Sequence, residues 1–519
     1  MSFARNLFTV SGLTVLSRIA GFARDTLTAL LLGTGLAADA FFVAQRLPNL
    51  FRSLFAEGAF AAAFVPLYTK EAQAEGQAAA QQFAGQALAL LLAVLIPFTL
   101  LMLAFMPYVI AVIAPGFGDE PEKYQAAVHF SRITFPYLLL ISVTALQGGV
   151  LNAQGRFGPA AAAPIAFNLV LIAALFLAQM FHWPVGETQS WAVTVAGLVQ
   201  AGWLAFSCRR AGVAIPLLRP RLTEAGRRLF KQVGPGALGA GATQINLLVS
   251  TGLASLLPTG AVSYLYYADR LNQLPLGIVG IAVATTLLPV LSRHAQNGDA
   301  EKVRHYMSRA IEFCLALGLP ATVGLGVAAL PIIQTLFEHG AFTHAAAIAT
   351  SHALMAYALG IPAFLLVKVF SARFFARHDT KTPVRIALIA MTVNIVGALA
   401  LLMPLGHTGI ALAASLATWV NAGLLFATLR REGEKLADAA LLRRLPRLLL
   451  CAVGMGAVTL AAMALLEAWF ADGQSLARQV LGLALIIGPS CLAYALLLQA
   501  TGAMRWQEAI KTMKRKDNA

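Results

Sequence analysis

The chain has 519 residues, of which 59% are hydrophobic and 12% are charged, and its mean hydropathy is +0.73. Soluble domains carry about 25% charged residues, so the composition excludes an ordinary soluble protein and predicts a protein that crosses a membrane many times. The net charge of +15 would suggest a nucleic-acid partner in a soluble protein. Because basic residues of membrane proteins collect in cytoplasmic loops, we expect no such partner.

Long apolar runs recur along the whole chain, as expected of membrane helices rather than of a β-barrel. They predict an all-α polytopic membrane protein with fourteen transmembrane helices. The predicted spans are 7–32, 39–68, 86–113, 128–152, 160–181, 190–208, 229–256, 261–291, 308–337, 345–372, 384–403, 408–429, 446–468 and 477–500. Arg18 interrupts the first apolar run, so we expect the N-terminus to be retained rather than removed as a signal peptide.

The loops between the predicted spans differ in charge. Those after even-numbered spans are basic or mixed, as in 209–231, 292–309, 373–385 and 430–447, whereas those after odd-numbered spans are short and nearly free of Lys and Arg. Lys123, in the loop PGFGDEPEKYQ, is the exception. The positive-inside rule therefore places both termini in the cytoplasm.

Four landmarks in the first half of the chain recur in the second half at one constant offset. Arg46 aligns with Arg270, Pro107 with Pro331, Gly116 with Gly340, and Pro159 with Pro383. Because this offset spans six helices, both copies begin on the same side of the membrane and are parallel repeats. We predict an N-terminal lobe at 1–210, a C-terminal lobe at 211–430, two additional helices at 431–502 and a basic cytoplasmic tail at 503–519.

Two repeats around a central cavity are a common transporter architecture, and charges inside the membrane should face that cavity. The candidates are Arg18, Arg24, Asp25, Asp39, Arg46, Arg52, Glu57, Asp269, Arg270 and Lys368. Arginine is favoured where an oxyanion is held by two hydrogen bonds, so the excess of arginine predicts an anionic substrate. The alternative is that some of these charges form structural ion pairs or reach the interface; we weigh it most for Asp25, Arg46, Glu57 and Lys368.

The sequence contains no motif for catalysis or nucleotide binding. There is no G-x-S-x-G, no H-E-x-x-H and no Walker A sequence, and the four cysteines and nine histidines are dispersed. We therefore predict a protein that is not an enzyme and that holds no disulfide, metal or cofactor. Transport would then be driven by the membrane potential or by a cation gradient.

Three segments resemble a known family closely. Residues 16–68 (LSRIAGFARDTLTALLLGTGLAADAFFVAQRLPNLFRSLFAEGAFAAAFVPLY), 266–292 and 374–387 are similar to the MurJ/MviN family, and the similarity runs nearly end to end. These proteins are bacterial lipid II flippases of the multidrug/oligosaccharidyl-lipid/polysaccharide exporter superfamily. The resemblance implies an inner-membrane protein that works by alternating access. It would carry the undecaprenyl-diphosphate-linked disaccharide-pentapeptide of peptidoglycan from the cytoplasmic to the periplasmic leaflet for cell-wall synthesis.

The resemblance also implies roles for individual residues. The family's cavity arginines map onto Arg18, Arg24, Arg52 and Arg270, and Asp39 is also a cavity charge of the family. Our own assignment of gating or cavity charges is Asp25, Asp39, Arg46 and Asp269. The last two spans resemble the family's groove for the lipid tail. Implied partners are lipid II, membrane lipids and the cell-wall synthesis machinery. Gln273 is a departure, because relatives carry a carboxylate one turn after the arginine at 270, which leaves any ion-coupling or gating role of that carboxylate in doubt here.

Several other functions remain compatible with the residues alone. A flippase for another polyprenyl-diphosphate-linked glycan would need the same arginines. An ion-coupled drug exporter needs more cavity carboxylates, and a membrane glycosyltransferase working on the same lipid needs a larger extramembrane loop with catalytic carboxylates or histidines. A structural scaffold would not need central arginines at all.

Overall fold

A computed structural model describes residues 3–55, 59–296, 299–434, 436–471 and 474–503. Helices joined by short turns make up these ranges, and no β-strand occurs within them. The predicted all-α fold is confirmed. Glu57 and nearly all of the predicted basic tail, from residue 504 onward, lie outside the described residues.

The chain forms two compact units. Unit 1 contains Met1–Ser263 and Gly340–Phe342, and unit 2 contains Tyr264–His339 and Thr343–Ala519. The helices of unit 1 are α1 (Phe3–Leu32), α2 (Leu36–Phe55), α3 (Ala59–Ala74), α4 (Gln77–Ala104), α5 (Met106–Ile113), α6 (Pro121–Thr134), α7 (Tyr137–Ala153), α8 (Gly158–Phe181), α9 (Val185–Arg210) and α10 (Glu224–Ser255). A 3-10 turn at Pro115–Asp119 precedes α6.

The next helix, α11 (Ala261–Gln296), begins at the end of unit 1 and continues in unit 2. The other helices of unit 2 are α12 (Ala300–Val327), α13 (Ala329–Phe337), α14 (His344–Ala358), α15 (Ile361–Ala376), α16 (Lys381–Arg431), α17 (Ala439–Leu466) and α18 (Leu476–Ala500). The two C-terminal helices pack on α12, where the Tyr494 hydroxyl donates to the Ala316 carbonyl at 2.8 Å. The predicted pair of additional helices is therefore anchored within unit 2.

Nine helical segments among the described residues are long and apolar enough to cross a membrane. The helices α1, α2, α10 and α11 fall outside this set. Three of them, α1, α2 and α11, carry most of the candidate charges, which lower the hydropathy of a span. The structure thus supports a multi-pass membrane protein, and the number of fourteen spans stays a prediction.

The helix breaks repeat along the chain. The break between α4 and α5 lies at Phe105, and the break between α12 and α13 lies at Ala328. Pro107 and Pro331 each follow within the first turn of the next helix, where a residue without an N–H donor is tolerated. The second pair of breaks, between α6 and α7 and between α14 and α15, also falls at equivalent positions. These matched breaks support the predicted internal repeat.

The break predicted between the spans that end at 403 and begin at 408 coincides with Gly406, where two helical parts of α16 meet across a kink (φ 56°, ψ −135°). One local expectation is corrected by the structure. Lys123 is not a loop residue but lies in the first turn of α6, with its side chain buried.

Candidate functional site

Arg24 and Asp25 form a polar centre where α1 packs on α8. The Arg24 guanidinium donates through Nε and Nη2 to Asp25 Oδ1, at 3.0 and 2.6 Å, and through Nη1 to Asn168 Oδ1 at 3.0 Å. Asn168, on α8, returns to α1 by donating its amide to the Ser17 carbonyl at 3.0 Å. A single buried amide thus holds the arginine and the backbone of the same helix.

The sequence of α1 explains how α8 comes so close. At Gly21 a Cβ atom would lie 3.4 Å from the Asn168 amide nitrogen, so a larger side chain would push the two helices apart. Asp25 is buried, Arg24 is half-buried and Arg18, nearer the start of the helix, is exposed. The side chains of α1 thus change from exposed at Arg18 to buried at Asp25.

Asp39 is the most enclosed of the predicted charges, with 1% of the residue exposed. Its Oδ2 accepts from the Gly260 amide at 2.8 Å, and its Oδ1 accepts from the Ser263 amide at 2.9 Å and from the Ser263 hydroxyl. These donors belong to the first turn of α11, so Asp39 caps that helix from α2. A carboxylate is stabilised there by unpaired amides and by the positive end of the helix dipole.

The counter-ion of Asp39 is Lys123, which lies 3.2 Å from Asp39 Oδ2. Its ammonium group also donates to Thr259 Oγ1 at 3.0 Å and lies 3.6 Å from Glu120 Oε1. The ring of Phe117 lies 4.6 Å from the same nitrogen. We call this set the Asp39 cluster: Asp39, Glu120, Lys123, Thr259, Gly260 and Ser263.

Two further predicted arginines lie on α2. Arg46 donates through Nη1 to the hydroxyl of Thr251, which links α2 to α10. Arg52 is half-buried near the end of α2. Both side chains are therefore held in positions that are neither fully buried nor fully solvated.

The predicted charges of unit 2 lie next to each other on α11. Gln273 donates its amide to Asp269 Oδ2 one turn earlier on the same helix. The Arg270 guanidinium lies over the ring of Tyr266, 4.7 Å from its centre. Gln273 therefore supplies a hydrogen-bond donor to Asp269, which an ionised carboxylate at that position could not do.

The sequence predicted the charged residues of the site but not the residues that pair with them. Asn168 carries no sequence signal, because an isolated Asn in an apolar helix has no fixed meaning. Lys123 did carry one, since it was the lone basic residue among the predicted outward loops. Burial against Asp39 explains that exception. Lys368, weighed as an end-of-span charge, is exposed and lies 5.2 Å from the ring of Phe364.

The arrangement of unit 1 suits an anion better than a metal. Within the described ranges no group of three His, Cys, Asp or Glu side chains could hold a metal ion. The Nε and Nη2 edge of Arg24, which faces Asp25 Oδ1, is the edge that also fits a phosphate oxygen pair. Both N–H groups of this edge now share the single oxygen Oδ1, and a phosphate would offer them one oxygen each.

The family model described as Lipid II flippase MurJ matches residues 28–481. A protein of Rhizobium meliloti (strain 1021) named probable lipid II flippase MurJ is 43% identical over 519 residues, covering 99% of this chain and 97% of its own length.

Solved structures are also similar to the chain. One, described as lipid II flippase MurJ in an inward closed conformation, has 25% identity and a TM-score of 0.76, and the match covers 95% of this chain and 98% of that one. An inward-facing multidrug resistance transporter of the MATE family shares the fold with a TM-score of 0.71 at 15% identity, over 83% of this chain and 99% of its own.

Proposed function

Because the chain belongs to the lipid II flippase MurJ family, we propose that it moves lipid II across the bacterial cytoplasmic membrane by alternating access. The observation that carries the proposal is Arg24, whose phosphate-type edge is presented from α1 and is held by Asp25 and Asn168. The cargo is the undecaprenyl-diphosphate-linked disaccharide-pentapeptide. Its transfer to the periplasmic leaflet supplies cell-wall synthesis, and no bond is made or broken in the process.

Four arginines are assigned to the diphosphate and headgroup: Arg18, Arg24, Arg52 and Arg270. The exposure of Arg18 and the partial exposure of the other three support this assignment, because a binding group must reach its ligand. Guanidinium groups hold phosphate oxygens by paired hydrogen bonds and stay charged at every physiological pH. The negative headgroup in turn offsets the mutual repulsion of the arginines.

Four other charges are assigned to gating or to shaping the cavity: Asp25, Asp39, Arg46 and Asp269. Each has a polar partner from the protein, which supports a role in holding positions rather than in binding cargo. Asp25 engages Arg24, and Asp39 caps α11. When the diphosphate binds, Asp25 is displaced from the edge of Arg24, which couples cargo binding to a rearrangement of α1.

The basic loops support an orientation with both termini in the cytoplasm. The turns at 33–35, 115–120 and 256–260 then face the periplasm.

The prenyl tail follows α17 and α18, whose exposed apolar side chains include Leu450, Val453 and Leu485. The driving force is the membrane potential or a cation gradient, since the sequence has no nucleotide motif. The cell-wall synthesis machinery is the partner that receives the product.

The proposal is tested with the full-length protein in proteoliposomes that contain fluorescent lipid II. Quenching from outside measures how fast the lipid crosses, and Arg24→Ala should slow crossing to the protein-free rate. Arg156→Ala removes an exposed arginine from the turn before α8 and should leave the rate unchanged. Crossing of a different polyprenyl-diphosphate glycan but not of lipid II would assign the protein to that cargo instead.

A further inference from the structure

Lys123 is a cation buried in a part of the chain that is otherwise almost free of basic residues. Only 1% of the residue is exposed. Its ammonium group faces three oxygens, which belong to Asp39, Thr259 and Glu120. The Thr259 hydroxyl accepts a hydrogen bond from it at 3.0 Å, and the Asp39 carboxylate lies at 3.2 Å. The Glu120 carboxylate, at 3.6 Å, is an ion-pair partner beyond hydrogen-bond distance. A buried lysine is costly to desolvate, so its presence calls for a reason.

The oxygens around Lys123 come from three places: α2, the turn between α10 and α11, and Glu120, which directly precedes α6. Asp39 lies on α2, and α6, which carries Lys123, is fixed to α2 because the Thr134 hydroxyl donates to the Ala44 carbonyl at 3.1 Å. Thr259 lies in the turn between α10 and α11, next to the Gly260 amide that binds Asp39. Lys123 therefore binds the turn directly and also neutralises the carboxylate that binds the same turn.

We propose that Lys123 is a gating residue, which closes the outward side by neutralising Asp39 and by holding the α10–α11 turn. This inference rests on the alternating-access function proposed above. In the closed arrangement the Asp39 side chain is shielded from water. Among the described residues, Lys123 is its only cationic partner at salt-bridge distance. When the turn moves away, water reaches both side chains. The ion pair therefore stabilises the closed arrangement more than the open one.

Charge balance then predicts how variants behave. Lys123→Met leaves a buried carboxylate without its counter-ion, and Asp39→Asn leaves a buried ammonium group with only the half-exposed Glu120. Each change destabilises the closed arrangement, in which the remaining charge is buried without its partner. In the double variant neither charge remains, so much of the penalty disappears. Opposite charges that act as one unit give this non-additive pattern, whereas independent packing defects add.

The experiment measures the distance between spin labels on the two sides of the Asp39 cluster. Gly118→Cys and Leu256→Cys are suitable sites, because a side chain at 118 has no heavy atom within 4 Å and Leu256 is exposed. The background variant Cys491→Ser removes the exposed native cysteine. Full-length protein in lipid nanodiscs is used throughout.

The parent should show mainly a short distance, with a minor long-distance population. Lys123→Met and Asp39→Asn should each raise that population about tenfold, within the range open to a minor conformer. The double variant should return close to the parent. Lys123→Arg keeps the charge and should resemble the parent, and Lys70→Met, which removes an exposed lysine on α3, should have no effect.

Thr259→Val provides a second test should Lys123→Met fail to fold. It removes the hydroxyl that Lys123 and Glu120 share and should raise the long-distance population by a smaller factor. The inference is overturned if Lys123→Met or Thr259→Val leaves the distances unchanged, or if the double variant opens more than either single one. Lipid II crossing is measured separately, so a protein that moves another lipid could still show this gate.

Discussion

Asp39 and Ser263 are hydrogen-bonded to each other across 224 residues of sequence, the offset that also separates Gly116 from Gly340 in the predicted repeat. Asp39 contributes a carboxylate, and Ser263 contributes a hydroxyl and an amide. The predicted repeat thus pairs an acceptor with its donor at matching positions, and this contact ties α2 to the start of α11.

Asn168→Leu tests whether the amide positions Arg24 for its ligand. The variant loses the oxygen that accepts from Arg24 and the amide that donates to the Ser17 carbonyl. The affinity for lipid II should therefore fall about tenfold, as expected for a hydrogen bond to a charged group. Lipid II titration of the purified protein measures this. Gln189→Leu removes a comparable buried amide bond, which joins α9 to the Leu171 carbonyl of α8, and should lower stability without changing affinity. Equal affinity loss in both variants would mean that Asn168 acts only through packing.

Gly116→Ala tests the close approach of the 3-10 turn to α10. A Cβ atom at 116 would lie 2.1 Å from the Ser255 carbonyl oxygen, and the Gly116 amide donates to the Ser255 hydroxyl at 3.1 Å. The backbone must move apart, so we expect a loss of about 1–3 kcal/mol in the free energy of unfolding, as for overpacked sites. Thermal unfolding measures it. Gly118→Ala, two residues away with open space around its Cα, should be neutral, and equal destabilisation would exclude the contact as the cause.

Gln273→Glu tests the departure from the family on α11. The substitution replaces a donor to Asp269 with a second carboxylate one turn away, and like charges at this spacing repel. We expect slower lipid II crossing because the charge balance around Arg270 changes. Asp269→Asn combined with Gln273→Glu restores one donor and one carboxylate and should recover much of the rate. A rate unaffected by Gln273→Glu would remove this pair from the mechanism.

The N-terminal end of α17 predicts a pH effect on stability. Asp438 caps α17 through the Leu441 amide at 2.7 Å and pairs with Arg309 Nη2 at 2.9 Å. Although partial burial opposes it, these bonds hold the pKa of Asp438 below its usual value of 3.8. A depressed pKa means that the stabilisation is present above 3.8 and is lost as the pH falls through the lower, folded-state value. The melting temperature should therefore drop in this acid range.

Two variants separate the contributions of Asp438. Asp438→Asn keeps a good helix cap but loses the charge, so its melting temperature should depend less on pH in that range. Asp438→Ala loses both the helix cap and the charge, so it should be less stable than Asp438→Asn at neutral pH. Identical pH profiles for the parent and Asp438→Asn would show that other carboxylates control the transition.

The sequence predicted much of the architecture, because apolar length and loop charge are set locally. The helix breaks next to Pro107 and Pro331 are also marked in the sequence, because proline lacks the N–H that a helix interior requires. The pairing of charges could not be predicted, because Asn168 and Asp25 meet Arg24 only after α1 and α8 pack. Lys123 was misplaced in a loop for the same reason: its burial depends on Asp39 in a distant segment.

The central claim is that cavity arginines carry the diphosphate of lipid II across the membrane. The most direct measurement uses cells whose only copy is Arg18→Ala at normal protein level, and asks how much lipid II an added lipid II-cleaving enzyme can reach from outside. Precursor accumulating in a protected form, with normal accessibility in cells carrying Arg156→Ala, is the predicted result. Unchanged accessibility together with normal growth would contradict the claim.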